Sequence, residues 1–178
     1  MTWPDFRPPL QGNIPELLPA DLAAAREYSV ELATASGPGP MVEVRELFRR
    51  LYGEPQDCGT PNPYVAPYHR WRAKVRLTSR DGGHEDITAS IEYRYWPTLK
   101  LGYIESVHVT SEIRHQGMGV RLLNFAIDHM RRKGGESVHA FTVSQEGFSL
   151  LAGVGFAADA PEDENSPWRC WVSIIPKV

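Results

Sequence analysis

The sequence predicts an α/β domain built on a mixed, mostly antiparallel, twisted sheet. Three observations support this prediction. The spacing of hydrophobic residues changes from helical to alternating near residue 70, and three alternating segments follow one another up to residue 110. From there to the C-terminus, helical segments alternate with strand-like segments. The chain has 178 residues, of which 42% are hydrophobic and 23% are charged, as is usual for a globular domain. We expect a single domain over residues 13–178, preceded by an extended, proline-rich arm at 1–12.

The first third of the chain is predicted to be mostly helical. After a short strand at 13–18, Asp21 opens the segment DLAAAREYSVELATAS, whose apolar residues recur at helical spacing. The sequence GPGP at 37–40 ends this helix, because glycine and proline both interrupt helices. A second amphipathic helix is predicted in MVEVRELFRRLYG, residues 41–53, where the apolar residues form one stripe.

The middle of the chain is predicted to form an antiparallel meander of three strands. Residues 54–68 contain four prolines and are expected to be irregular. The segments RWRAKVRLT (70–78), ITASIEYRYW (87–96) and YIESVHVT (103–110) each alternate apolar and polar residues. The turn SRDGGHED between the first two indicates a hairpin.

The last third of the chain alternates between helical and strand patterns. The predicted elements are a helix from Met118 to about Lys133 that ends at two glycines, a strand at 137–144, a short helix at 145–154 and a final strand at 168–176.

Charge and cysteine content argue against several classes of protein. A net charge of −3 and a pI near 6.1 give no basic field that would attract nucleic acid or a membrane surface. Cys58 and Cys170 have no metal-like spacing, and no metal site is expected. The N-terminus lacks the pattern of a signal peptide and no apolar run approaches a membrane span, so a cytoplasmic location is expected.

The run RHQGMG, residues 114–119, lies between the third strand of the meander and the helix that starts at Met118. A helix N-terminus carries unpaired N–H groups and the positive end of the helix dipole, and glycines allow an anion to approach the backbone. The run lacks the third glycine of a dinucleotide fingerprint and the lysine of a Walker loop. A phosphate site and a simple glycine-rich helix start both fit these residues.

The segment YIESVHVTSEIRHQGMGVRLLNFAIDHMRRKG resembles the strand, pyrophosphate loop and helix of the GNAT superfamily of N-acetyltransferases, whose loop is written R/Q-x-x-G-x-G/A. A weaker match is SQEGFSLLAGVGF, where Gly155-Phe156 agree with the family. Here Ser144, Gly147 and Leu151 stand where the family usually has Asn, Ala and Tyr. The order of elements from about Asn13 onward is also similar. The resemblance implies a sheet splayed between its fourth and fifth strands, with helices on both faces.

The resemblance implies acetyl-CoA as the acyl donor. The backbone amides from Gln116 to Val120 would hold its pyrophosphate, and Arg114 would close the loop. Val107 and Val109 would bind the pantetheine arm through their main chain, and the Val107 amide would polarise the thioester carbonyl during catalysis. The implied cofactor-binding residues are Val107, His108, Val109, Arg114, His115, Gln116, Gly117, Met118, Gly119, Val120 and Ser144.

Glu105 is the candidate catalytic base. A carboxylate in the cleft can take the proton from an alkylammonium acceptor, and many family members have an acid at this position. Strict strand alternation places Glu105 on the same face as Tyr103, Val107 and Val109. A surface glutamate, or one paired with an arginine such as Arg94, is the alternative.

The group that protonates the leaving thiolate is left open. Leu151 occupies the position of the tyrosine that often has this role in the family, so water, Ser144, Tyr93 and Tyr95 all stay candidates. His108 is expected, from the same alternation, to point away from the candidate base or to be a hydrogen-bonded core residue.

The predicted function is acetyl transfer from acetyl-CoA to an amine by direct attack in a ternary complex. The acceptor is expected to be an amine-bearing small molecule or peptide, and a homodimer is left open. Two alternatives are a non-catalytic CoA-binding regulatory domain and an acetyltransferase that acts on a protein or another macromolecule. The sequence does not identify the acceptor, because no motif occurs in the first two helices or in residues 54–68.

Overall fold

The computed structural model describes residues 27–37, 39, 41–54, 66–78, 82–158 and 169–174. The arm predicted at 1–12 and the strand predicted at 13–18 lie outside these residues. In chain order the elements are β1 (Glu27–Thr34), α1 (Met41–Tyr52), β2 (His69–Thr78), β3 (His84–Trp96), β4 (Leu101–Val109), a 3-10 turn (Ser111–Ile113), α2 (Met118–Arg132), β5 (Ser137–Thr142), α3 (Gln145–Gly153), β6 (Ala157–Ala158) and β7 (Arg169–Ile174).

The described strands form one sheet in the order β1-β2-β3-β4-β5-β7-β6. Strands β4 and β5 are parallel, and every other neighbouring pair is antiparallel. A parallel pair needs a crossover connection, and α2 provides it between β4 and β5. The predicted mixed, mostly antiparallel sheet is therefore confirmed.

The helix predicted from Asp21 to about Ser36 is wrong over residues 27–34, which form the edge strand β1. This strand pairs with β2 from Glu27 opposite Thr78 to Thr34 opposite Trp71. Its apolar residues Tyr28, Val30 and Leu32 are spaced by two, which is the period of a strand. Pairing with β2 overrides the helix propensity of Glu31, Leu32 and Ala33 in this segment.

Helices cover both faces of the sheet, as predicted. The apolar side of α1 (Val44, Leu47 and Phe48) packs on one face against Trp96, Leu101 and Tyr103. On the other face, α2 buries six apolar side chains: Met118, Leu122, Leu123, Ala126, Ile127 and Met130. Full burial of each large apolar side chain contributes roughly 1.5–3 kcal/mol, so these two faces anchor the helices firmly.

The other predicted elements differ from the structure mainly at their ends. The predicted second helix corresponds to α1, and the predicted helix from Met118 corresponds to α2, which ends at Arg132 before Gly134 with φ of +92°. Strand β3 begins three residues earlier than predicted, at His84. The two-residue strand β6 was not predicted, because so short an element leaves no periodicity in a sequence.

Candidate active site

The sheet opens between β4 and β5. The two strands pair only from Leu101 opposite Ser137 to Ile104 opposite Ala140, although β4 continues to Val109 and β5 to Thr142. Beyond the fourth pair they separate around a groove of about 840 Å³. The groove is lined by the second half of β4, the loop and first turn of α2, the end of β5 and the first part of α3. The predicted splay is confirmed.

A β-bulge interrupts β4 at Glu105. Glu92 lies opposite Ser106, whereas the next residue of β3, Tyr93, lies opposite Ile104. Glu105 is therefore an extra residue without a partner in β3, and such an insertion bends the strand and moves the following side chains to the other face. Bulges of this kind are common next to active sites.

The bulge corrects two predictions about the faces of β4. Tyr103 packs in the cluster under α1, whereas Val107 and Val109 pack against the core under α2. The prediction that Glu105 shares a face with these two valines is wrong, because strand alternation holds only while the ladder is regular. The prediction that His108 points away from Glu105 is wrong for the same reason.

Beyond the bulge, alternate main-chain groups of β4 face the groove. The amide of Thr110 donates to the carbonyl of Thr88, with 3.0 Å between nitrogen and oxygen. This bond and the register place the polar main-chain groups of His108 toward Ser90 in β3. The amides of Val107 and Val109 then point into the groove, as the predicted pantetheine contacts require.

The start of α2 forms the end of the groove. Gly117 precedes the helix with φ of +79°, a left-handed conformation that favours glycine, and His115 has φ of +60°. The first amide bonded within the helix is that of Arg121, which donates to the carbonyl of Gly117 at 3.1 Å. The amides from Met118 to Val120 thus lack helical acceptors, and together with the helix dipole this arrangement favours the binding of an anion.

The other residues of the loop before α2 hold it in this conformation. Nε of Arg114 donates to the carbonyl of Val109 at 2.9 Å, which ties the loop to the end of β4. The side-chain amide of Gln116 donates to the carbonyl of Glu112 at 3.3 Å. Ile113 and Met118 are buried and hold the loop to the core from below.

The Glu105 carboxylate lies in a buried ion cluster. Oε2 accepts a hydrogen bond from Nε of Arg70 at 2.8 Å, and Oε1 accepts one from Nε of Arg94. The side chains of Glu105 and Arg94 are 1% and 0% exposed. The pairing with Arg94 that the sequence left open is therefore present, and the role of Glu105 as base stays a prediction.

Glu92, Tyr68 and Gly39 also contact the ion cluster around Glu105. Arg70 also binds Glu92 at 2.6 Å, and the guanidinium of Arg94 lies 4.8 Å from the ring centre of Tyr68. Gly39 lies directly against the carboxylate, because a Cβ at this position would be 2.9 Å from both Glu105 oxygens. Neither Arg70 nor Gly39 was predicted, since a contact between distant strands and a loop leaves no local sequence signal.

The candidate acids have other partners. The hydroxyl of Tyr93 is 2.7 Å from Nδ1 of His129, and that of Tyr95 donates to the carbonyl of Lys133 at 2.9 Å, so both contact α2 rather than the groove. Burial raises the pKa of the Tyr93 phenol. Ser144 lines the groove, but its hydroxyl accepts a hydrogen bond from the amide of Gly147 at 3.0 Å and caps α3.

Most residues of the groove wall formed by β5 and α3 were not predicted from the sequence. Besides Ser144, this wall contains Thr142, Gln145, Glu146 and Ser149, which lie in a segment whose sequence departs from the family signature. Leu151 is buried and also lines the groove, so an apolar side chain occupies the position expected for a tyrosine.

Among the residues that the structure describes, no group of three or more His, Cys, Asp or Glu side chains is arranged to hold a metal ion. Nor does any described helix have the length and apolar character needed to cross a membrane.

Comparison with known proteins gives the same architecture. Residues 41–149 match the acetyltransferase (GNAT) family. The chain is similar in structure to a domain from Methanocaldococcus jannaschii, with a TM-score of 0.53, 10% identity and coverage of 83% of this chain and 99% of that one. It is also similar to an acetyltransferase from Bacillus subtilis solved with CoA, with a TM-score of 0.50, 15% identity and coverage of 84% and 99%. Comparison with curated proteins gives no match.

Proposed function

Because the chain belongs to the acetyltransferase (GNAT) family, we propose that it transfers the acetyl group of acetyl-CoA to the nitrogen of an amine acceptor. The observation that carries this proposal is the groove between β4 and β5, which ends at the anion-binding start of α2. The B. subtilis acetyltransferase of similar fold was solved with CoA, which supports CoA as the ligand of this groove.

The proposed cofactor contacts are mostly with the main chain. The amides from Gln116 to Val120 would bind the pyrophosphate, and the guanidinium of Arg114 would lie beside it at the mouth of the groove. Such oriented N–H groups bind an anion without a basic protein surface, in agreement with the net charge of −3. His115 and Ser144 line the same groove and would contact the cofactor from the loop and from α3.

The proposed chemistry takes place at the middle of β4. The pantetheine arm would lie along β4 like an added strand and bond to the main chain of Val107 and Val109. The amide of Val107 would then donate to the thioester oxygen and stabilise the negative charge that develops when the amine attacks. The amine attacks directly in a ternary complex, and the thiolate of CoA leaves.

Acetyl-CoA binding is tested by Gly117→Glu, which places a negative side chain where the phosphates would lie. Gly53→Glu is the matched control, because Gly53 also has a positive φ (+75°) and open space around its Cα but lies after α1. We expect calorimetry to show loss of acetyl-CoA binding in Gly117→Glu and wild-type affinity in Gly53→Glu. Equal affinities in both variants would refute the anion site.

Acetyl transfer is tested by release of free CoA thiol in the presence of spermidine, kanamycin, a peptide with a free N-terminal alanine, and p-anisidine. Wild type is expected to release thiol with at least one amine well above the rate without amine, and Gly117→Glu is expected to lose this activity. Release that is independent of every amine would contradict the proposal.

A non-catalytic CoA-binding domain is the second candidate, and two observations favour it. Leu151 supplies no acid to the groove, and the Glu105 carboxylate is enclosed by arginines. This candidate predicts tight acetyl-CoA binding without amine-dependent thiol release, including with lysine-containing proteins as acceptors. The cytoplasmic location stays a prediction, and the homodimer stays open.

A further inference from the structure

The bulge in β4 places His108 on the face of the sheet that packs under α1. Its neighbours Val107 and Val109 pack into the core under α2, so its side chain projects from the opposite face, which it shares with Glu105. The residue is exposed and lines the groove between β4 and β5. It is also adjacent to the Val107 amide, where the proposed thioester carbonyl would be bound.

The other titratable side chains that line the groove are less suited to remove a proton there. Both oxygens of Glu105 are bound to guanidinium groups, and its side chain is 1% exposed. The guanidinium of Arg114 donates to the carbonyl of Val109 and offers no acceptor atom for a proton. His115 lies in the loop that would hold the phosphates, and Glu146 lies on the first turn of α3.

We propose that His108 is the base that deprotonates the acceptor amine, a role that rests on the proposed acetyl transfer. A neutral imidazole nitrogen accepts one proton from the ammonium group and frees the nitrogen lone pair. That pair forms the N–C bond, the C–S bond breaks with its electrons on sulphur, and the second amine proton ends on the thiolate as CoA leaves. The imidazolium then returns the first proton to solvent.

The sheet register identifies the charged groups around His108. Across the sheet, His108 lies opposite Ser90, which lies opposite Lys74, which lies opposite Glu31. The neighbouring row on the same face contains Ser106, Glu92 and Arg72, of which Glu92 is bound to two arginines. The charged or titratable groups that face this region include Glu31, Arg70, Arg72, Lys74, Glu92, Arg94 and Glu105 from the sheet, Arg114 and His115 from the loop, and Glu146 from α3.

The test uses the full chain, acetyl-CoA and two probe amines of the panel above, spermidine and p-anisidine. Spermidine is protonated near pH 7 and needs a base, whereas p-anisidine is largely neutral and needs none. We expect His108→Asn to lower kcat/KM for spermidine by about 10²–10⁴-fold, the usual contribution of a general base, and to change kcat/KM for p-anisidine by less than about threefold. Calorimetric affinity for CoA should not change.

A further readout separates a base from a structural residue. Free imidazole should restore activity to His108→Gly. The control His69→Asn removes an exposed histidine that stacks on Trp71 outside the groove, and it should stay within about twofold of wild type.

Several outcomes would overturn the assignment. A His108→Asn variant with wild-type kcat/KM for spermidine would remove His108 from the reaction. Equal losses with both amines would assign it a merely structural role. A wild-type protein that acetylates neither amine, nor any other in the panel, would overturn the proposed function, and the proposal for His108 with it.

Discussion

Among single residues, Glu105 is a buried acid of the site that two arginines hold. Its carboxylate is bound by Arg70 and Arg94, and it is buried together with Arg94. Removal of one partner from a buried ion pair leaves the other charge uncompensated and costs about 3–5 kcal/mol. We therefore predict that Glu105→Gln lowers the free energy of unfolding by about 3 kcal/mol or more, as measured by urea denaturation.

Glu31→Gln is the matched control for this prediction. Glu31 pairs with Arg76 at the exposed edge of the sheet, where an ion pair contributes about 0–1 kcal/mol. If Glu105→Gln kept wild-type stability but lost about 10²–10⁴-fold in activity, the carboxylate would act as a base rather than as part of the framework.

The glycine-containing turn before α2 could be predicted from the sequence because its pattern is local. Gly117 has the positive φ that its position before α2 requires, and Arg114 and Gly119 lie within three residues of it. The environment of Glu105 could not be predicted in the same way. Arg70 is 35 residues away along the chain, and the two meet only because β2, β3 and β4 are neighbours in the sheet.

At the scale of elements, the sequence predicted the type of most segments but failed where tertiary structure changes the local pattern. The edge strand β1 has a composition that also suits a helix, and only its pairing with β2 decides between them. The bulge in β4 does not disturb the alternation of apolar and polar residues in the sequence. It nevertheless places Val107 and His108 on the faces opposite to those predicted. Both errors concern pairing partners that a single segment does not reveal.

The contact between α2 and the sheet provides a pH-dependent prediction. Burial, together with the positive charges of Lys133 and Arg132, lowers the pKa of His129, whose Nδ1 is 2.7 Å from the Tyr93 hydroxyl. The folded protein therefore resists protonation of this histidine, whereas the unfolded chain takes up a proton near the ordinary pKa of about 6.5. Stability should be fully present above this pH and should decrease as the pH falls through it.

The measurement is the free energy of unfolding of wild type and His129→Gln at pH 7.5 and pH 5.5. Glutamine can keep a hydrogen bond to Tyr93 but does not titrate, so the loss between the two pH values should be smaller in the variant. His115→Gln, which changes an exposed histidine, should leave the wild-type pH dependence intact. An equal loss in wild type and His129→Gln would show that His129 is not the titrating group.

At the scale of the whole molecule, the groove depends on the arrangement of the entire sheet. Strand β4 keeps its ladder with β3 while it leaves β5, and β5 keeps its ladder with β7, so each half stays paired on its outer side. The order of elements and the family resemblance were enough to predict this splay. They were not enough to predict the wall from β5 and α3, because its side chains depart from the family signature.

Ligand binding in this groove should stabilise the whole fold and leave a specific pattern of hydrogen exchange. A ligand at one hundred times its dissociation constant adds about 2.7 kcal/mol to the free energy of unfolding.

With acetyl-CoA, we predict slower exchange at the amides of Val107 and Val109 and at the first turn of α2, from Met118 to Val120, because these amides lack partners within their own elements. Amides of α1, which packs on the far side of Trp96 and Tyr103, should slow only through the global stabilisation. Gly117→Glu should abolish both effects, and Gly53→Glu should preserve them. Protection that is concentrated in α1 or β1 instead would move the cofactor site away from the splayed strands.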